Sequence, residues 1–186
     1  ILNIEESLTS FSLLTVPMFI LMGEVMFHSK MALRASDALD YWIGRVPGRL
    51  GLLAVASGTI FAATSGSTLA NTSMLGSVLI PEMERRGYKS TMTVGPILGS
   101  GALAMLIPPS ILAVILATLV EVSVGGMLIA GILPGLVLGS LYAIYIIIRS
   151  WIQPEIAPPY DMPPISLTKK LKETAVYVLP LGLIIF

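Results

Sequence analysis

The side chains best suited to hold a ligand lie in one uncharged polar run, Ala62-Ala63-Thr64-Ser65-Gly66-Ser67-Thr68-Leu69-Ala70-Asn71-Thr72-Ser73. It carries seven hydroxyl or amide side chains, one glycine and no formal charge. A second feature, Pro108-Pro109-Ser110, supplies loose backbone oxygens. Each proline lacks a donor and clashes with the turn before it, so a helix should unwind there and free the carbonyls of residues 104 to 107. Hydroxyls plus free carbonyls, without carboxylates, suit a hard monovalent ion such as Na⁺ better than Mg²⁺ or Ca²⁺. The plainer readings are packing for the hydroxyl cluster, because small residues are enriched where membrane helices meet, and an ordinary kink for the prolines.

These residues must be carried by apolar elements. Residues 50–61 and 74–80 flank the polar run, and each is too short to cross a bilayer, which takes about 20 residues. Arginines stand outside both arms: Arg45 and Arg49 before the first, Arg85 and Arg86 after the second. If arginine marks the cytoplasmic side, both ends lie on that side, and residues 50–87 form a hairpin dipping into the membrane. One continuous helix here would be far too long for a single pass. Irregular backbone at membrane depth is tolerated only where protein buries it or it lines a wet cavity, so an oxygen-rich tip reads as a binding site. Residues 81–88 read as the return to the cytoplasm, ending at a glycine cap. Residues 91–121 form the next apolar segment, expected to break at Gly99-Ser100-Gly101 and at the proline pair, as discontinuous transporter helices do at their midplane sites.

Composition sets the solvent. Of 186 residues, 55% are hydrophobic and 12% charged, with mean hydropathy +0.88. A soluble domain carries about 25% charged residues, so this is an integral membrane protein. Zero net charge argues against a nucleic-acid partner. The absence of cysteine excludes disulfides and thiolate metal sites, and the single His28 cannot build a zinc site alone. No serine–histidine pair, no paired carboxylates at depth and no phosphate loop supports an enzyme.

The remaining segments fit one topology. Residues 1–49 hold a transmembrane helix, over about residues 11–27, and an amphipathic interfacial helix with Tyr41 and Trp42 at headgroup level. Glu24 falls within the first apolar run but near His28 and Lys30, where a structural pairing is expected. Residues 50–121 form the site-bearing unit, and 122–149 a plain span. Residues 150–172 are a proline-rich cytoplasmic connector, extended up to Pro164, with Ser166 as the cap of the next helix. Residues 173–186 start another span. No signal peptide is visible, and the chain is expected to be a fragment of a longer protein.

Several motifs occur together in order: Pro17-Met18-Phe19-Ile20-Leu21-Met22-Gly23-Glu24, Phe61-Ala62-Ala63-Thr64-Ser65-Gly66-Ser67, Gly76-Ser77 through Ile80-Pro81-Glu82-Met83, and Leu106-Ile107-Pro108-Pro109-Ser110. In combination they resemble the large membrane subunit of tripartite ATP-independent periplasmic (TRAP) transporters, the DctM-like family. The resemblance implies an all-α polytopic membrane protein of the elevator type. This chain would supply one structural repeat, with a re-entrant helical hairpin and a broken transmembrane helix. It also implies a Na⁺-coupled importer of small organic acids, of C4-dicarboxylate or sugar-acid type, with no cofactor beyond the coupling ion. Its partners would be a periplasmic substrate-binding protein and a small membrane subunit, in the bacterial inner membrane. By the same resemblance Na⁺ would be held by Ser65 and Thr68 with backbone oxygens of Ala104, Ile107 and Pro109. Substrate contacts are expected from Ser67, Asn71, Thr72 and Ser100, although Asn71 and Thr72 serve equally well as caps of the second arm. The family usually has Gly-Thr-Leu-Gly where Gly101-Ala102-Leu103-Ala104 stands; alanine keeps the carbonyl and loses glycine's freedom at positive φ. The rival readings are a membrane scaffold without a binding site, and an ion channel, which would want rings of polar residues around a pore.

Overall fold

The computed structural model describes residues 31–44, 46–158 and 166–179, with single positions 17, 18, 20, 21, 25, 28 and 29. The expected first span as a unit, Glu24, Arg45 and the connector over 159–165 lie outside these residues. Among the described residues every regular element is helical. The helices are α1 (Met31–Ile43), α2 (Arg49–Ser65), α3 (Thr68–Arg85), α4 (Ser90–Ala102), α5 (Ile111–Leu119), α6 (Val124–Ile152) and α7 (Leu167–Glu173). Short 3₁₀ turns cover Leu103–Met105 and Pro154–Ile156, and a π-helical turn, Thr174–Val178, follows α7.

Local chemistry ends α2 and starts α3. Gly66 takes φ 59°, a left-handed conformation that only glycine enters freely, while its N–H still reaches the Ala62 carbonyl at 3.1 Å. Ser67 then turns extended and its hydroxyl accepts from the Ala70 N–H, capping α3. The chain therefore reverses over two residues, and α3 packs back against α2. The far end of α3 stops at Gly87 (φ 78°), where Gly87 N–H bonds Glu84 O and Tyr88 N–H bonds Met83 O, both at 3.0 Å. This is the paired glycine cap in which the flanking apolar residues touch, and Met83 and Tyr88 are both buried.

Helix α4 lies across both arms and closes the main core, in which Leu53, Ala54, Leu75, Leu79, Met83, Met92 and Ile97 are buried. Gly99-Ser100-Gly101 does not break it; α4 runs unbroken to Ala102. These small residues are contact surfaces instead. The Tyr142 ring sits against Gly99, the Asn71 amide reaches the Ser100 carbonyl, and a side chain on Gly101 would collide with the Thr72 hydroxyl. Unwinding starts at Leu103 and lasts until Ser110 restarts the helix as α5.

Helix α6 is 29 residues long, about 43 Å at ~1.5 Å per residue, against about 30 Å of hydrocarbon. Pro134 lies within it without ending it. Among the described residues it is the one helix long and apolar enough to cross a membrane. Ile129, Leu133 and Tyr145 on it are exposed, as expected of a surface solvated by lipid.

Arg49 is buried: its guanidinium bonds the Asp40 carboxylate at 2.7 Å and the Asp40 carbonyl at 2.6 Å, joining α1 to the start of α2. One further expectation needs correction: the connector is not extended where it is described. Residues up to Ile152 stay in α6, and the 3₁₀ turn after it buries Ile156 and Ala157 while accepting the Lys89 N–H at Ile156 O. Apolar burial there outweighs the extended preference of a proline-rich segment. Ser166 occupies the position before α7, but it caps through its backbone carbonyl, which accepts from Lys169 and Lys170, and its hydroxyl makes no cap bond. The 166–179 segment docks on α1: Trp42 Nε1 donates to Thr174 Oγ1 at 2.8 Å, and Arg34 stacks over Tyr177.

Candidate functional site: a cavity between the hairpin tip and the helix break

The prolines at 108 and 109 remove the N–H groups that would complete helical bonds to the carbonyls of Ala104 and Met105. Ser110 repairs one loss: its hydroxyl donates to Met105 O at 2.8 Å while accepting from the Ala113 N–H to cap α5. The Leu103 carbonyl is taken by both Leu106 and Ile107. Ala104 O keeps no helical donor.

The reversal at Gly66-Ser67 is set against this unwound segment. The Pro109 carbonyl oxygen fills the space where a side chain on Gly66 would stand, and the Ile111 N–H points to Gly66 O at 3.5 Å. A cavity of about 220 Å³ lies between them, lined by Gly66, Ser67, Thr68, Ala104, Met105 and Ile111, with Leu69, Leu112 and Ile115 on its apolar side. None of these side chains ionises. Two helix C-terminal ends and the N-termini of α3 and α5 converge on it, bringing partial charges of both signs without a formal one. Among the described residues no three His, Asp or Glu cluster to hold a metal. The chemistry on offer is neutral-oxygen coordination.

The expected site residues divide into those at the cavity and those spent in packing. Thr68, Ser67 and Ala104 line it. Ser65 lies just behind the tip, its hydroxyl donating to Phe61 O at 3.0 Å and accepting from the Ser67 N–H at 3.4 Å. Pro109 presents its carbonyl to the tip, whereas Ile107 packs its side chain on Gly135. Asn71 is 1% exposed, with Nδ2 bonded to Gly58 O at 3.0 Å and Ser100 O at 3.4 Å. It does not cap α3; Ser67 does. Ser100 is fully buried and donates to Ile97 O, and Thr72 is pressed on Gly101. Sequence reasoning passed over Gly66 as a contact and Ser110 as a repairing donor. A serine between a proline pair and an apolar run was the available signal for the second.

A larger cavity of about 490 Å³ between α2 and α6 is apolar, and its Thr59 and Ser140 hydroxyls both donate to their own helices. Its side-chain polar groups are these two hydroxyls, whose protons are already engaged.

The model of the family "Tripartite ATP-independent periplasmic transporter, DctM component" matches residues 2–186. The chain is 38% identical over 150 residues to the C4-dicarboxylate TRAP transporter large permease protein DctM of Pseudomonas aeruginosa, covering 80% of this chain and 35% of that one. It is 40% identical over 137 residues to the ectoine TRAP transporter large permease protein TeaC of Halomonas elongata, covering 74% and 32%. It is 36% identical over 131 residues to the 2,3-diketo-L-gulonate TRAP transporter large permease protein YiaN of Escherichia coli, covering 70% and 31%. The chain spans about a third of the length of the curated relatives it matches. With its family model matched across almost every residue, this chain belongs to the DctM component of the tripartite ATP-independent periplasmic transporters.

Proposed function

We propose that this chain forms the cation-binding repeat of a permease subunit in a Na⁺-coupled secondary transporter. The permease is multi-pass in the bacterial inner membrane, takes a small organic acid from a periplasmic binding protein and works beside a small membrane subunit. The single observation that carries the proposal is the cavity where the α2–α3 reversal faces the unwound 103–110 segment. In this reading α2 and α3 are a re-entrant hairpin, and α4 with α5 a broken transmembrane helix. Na⁺ is coordinated by the Ser65 and Thr68 hydroxyls and by backbone oxygens of Ala104, Ile107 and Pro109. Uncharged oxygens suit that ion, because a fixed carboxylate would bind a divalent cation in preference. Elevator movement of the repeat would carry ion and substrate across together. Relatives named for C4-dicarboxylate and 2,3-diketo-L-gulonate support an organic-acid substrate, which would reach the cavity rim at Ser67.

Na⁺-driven uptake by proteoliposomes holding the full subunit set tests this. Uptake should fall to background when K⁺ replaces Na⁺, and when Ser65→Ala is combined with Thr68→Ala. Unchanged uptake with K⁺ overturns the coupling. A packing-only scaffold draws support from Asn71, Thr72 and Ser100, all engaged in helix contacts. It predicts that the double substitution alters melting temperature with no Na⁺-induced stabilisation to lose.

A further inference from the structure

We infer that Asn71 is the positioning residue that holds the hairpin tip in register with the helix break, setting the separation of the cavity's two walls. This deepens the proposed function and rests on it only where Na⁺ is concerned. The Asn71 side chain is the point at which three helices meet. It stands on α3 and gives both of its amide protons to backbone carbonyls of the other two, Gly58 on α2 and Ser100 on α4.

The placement sets the cavity directly. Thr68 lies three residues from Asn71 toward the tip, and Ala104 lies four residues beyond Ser100 toward the break. Helix α3 runs away from the tip and α4 runs toward the break, so both offsets climb about one turn, ~5.4 Å, to the same cavity. The Asn71 backbone N–H makes the ordinary helical bond to Ser67 O at 3.1 Å, so its side chain stands one turn from the cap residue. Sliding α3 along α4 would break both side-chain bonds while leaving apolar contacts nearly intact. Buried asparagines select register in coiled coils in the same way, through directional bonds that apolar packing lacks.

The amide is also an expensive choice for mere filling. Its Oδ1 is buried without a partner, and an unmet buried acceptor destabilises. The Ser100 carbonyl already receives the Leu103 N–H, so it needs no second donor. A leucine would fill this volume at no polar cost and specify less.

The test uses the full-length permease on a background free of other cysteines. Leu69→Cys and Met105→Cys place one thiol on each wall of the cavity, and the rate of joining them by a bifunctional maleimide reads their alignment. Asn71→Leu should slow the reaction about tenfold. Asn71→Asp, which keeps the shape and loses the paired donors, should slow it similarly and serves if the leucine variant does not fold. Leu75→Ala, a buried apolar deletion one turn further down α3, should lower the melting temperature and leave the rate within about twofold. An unchanged rate in both Asn71 variants, or equal slowing by Leu75→Ala, overturns the inference. The apparent Na⁺ affinity, read as a melting-temperature shift, should weaken about tenfold in the Asn71 variants alone. If wild type shows no Na⁺ shift while the cross-linking rates separate as stated, the cation reading fails and the positioning role stands.

Discussion

The carbonyl oxygen of Pro109 lies in the space that a side chain on Gly66 would occupy. Two irregular segments, separated by more than 40 residues of sequence, thus meet backbone to backbone. Gly66→Ala meets two obstacles there: a φ of 59° that disfavours any Cβ, and the carbonyl itself. We expect a loss of about 2 kcal/mol or more, and loss of the Na⁺-induced stabilisation that the proposed cation site predicts. Thermal unfolding of the detergent-solubilised permease, with and without Na⁺, measures both. A melting temperature equal to wild type would mean that the two backbones do not approach in this way.

Ser110 serves two termini at once, donating to Met105 O and capping α5 at the Ala113 N–H. Ser110→Ala should cost about 1–2 kcal/mol, the usual value of a lost cap, with the Met105 carbonyl unmet besides. Ser110→Thr keeps the hydroxyl and should recover most of it. Equal unfolding midpoints for the alanine and threonine variants would argue against the hydroxyl's role.

Asp40 and Arg49 form an ion pair whose side chains are 8% and 5% exposed. Removing one partner strands the other charge, so Arg49→Met should destabilise by about 3–5 kcal/mol. Replacing both together should cost much less than the sum of the single changes. A double-mutant cycle on unfolding free energies measures this, and additive effects would show that the pair does not couple α1 to α2.

Asp37 lies near this pair, outside the membrane-spanning segments. Burial first, then the Asp40 and Glu173 carboxylates, raise its pKa above the ordinary 3.8. A carboxyl whose folded pKa is raised contributes stability that is fully present below the unfolded value and lost as pH rises through the folded value. The melting temperature should therefore drift down as pH climbs from about 4, where model carboxylates titrate. Asp37→Asn should remove that part of the drift and gain on wild type at neutral pH relative to acid. Asp37 is solvent-exposed, so the effect is small and salt reduces it. A wild-type profile identical to that of the variant would contradict the assignment.

Legibility followed range along the chain. The reversal around Gly66-Ser67 was readable from the two short apolar arms and the arginines beyond them, and the stop at Gly87 from its glycine. The Pro108-Pro109 break was readable because a missing N–H is a covalent fact. Gly99-Ser100-Gly101 misled, because small residues look alike whether they unwind a helix or let another helix approach. The partner of Arg49 was not legible: a buried arginine and an exposed one differ only in whether a carboxylate nine residues away folds back to meet it.

Residue types and their local order were enough to establish a lipid-solvated helical chain, its family, and three places where its helices must stop. Side-chain periodicity names a helix face but not the neighbour that covers it. Only the packed structure could set Pro109 against Gly66, bring Ala104 to the same cavity as Thr68, and turn Asn71 inward to join three helices. Those relationships depend on how α2, α3 and α4 cross, and a crossing is decided by which side chains interlock once the whole interior is assembled.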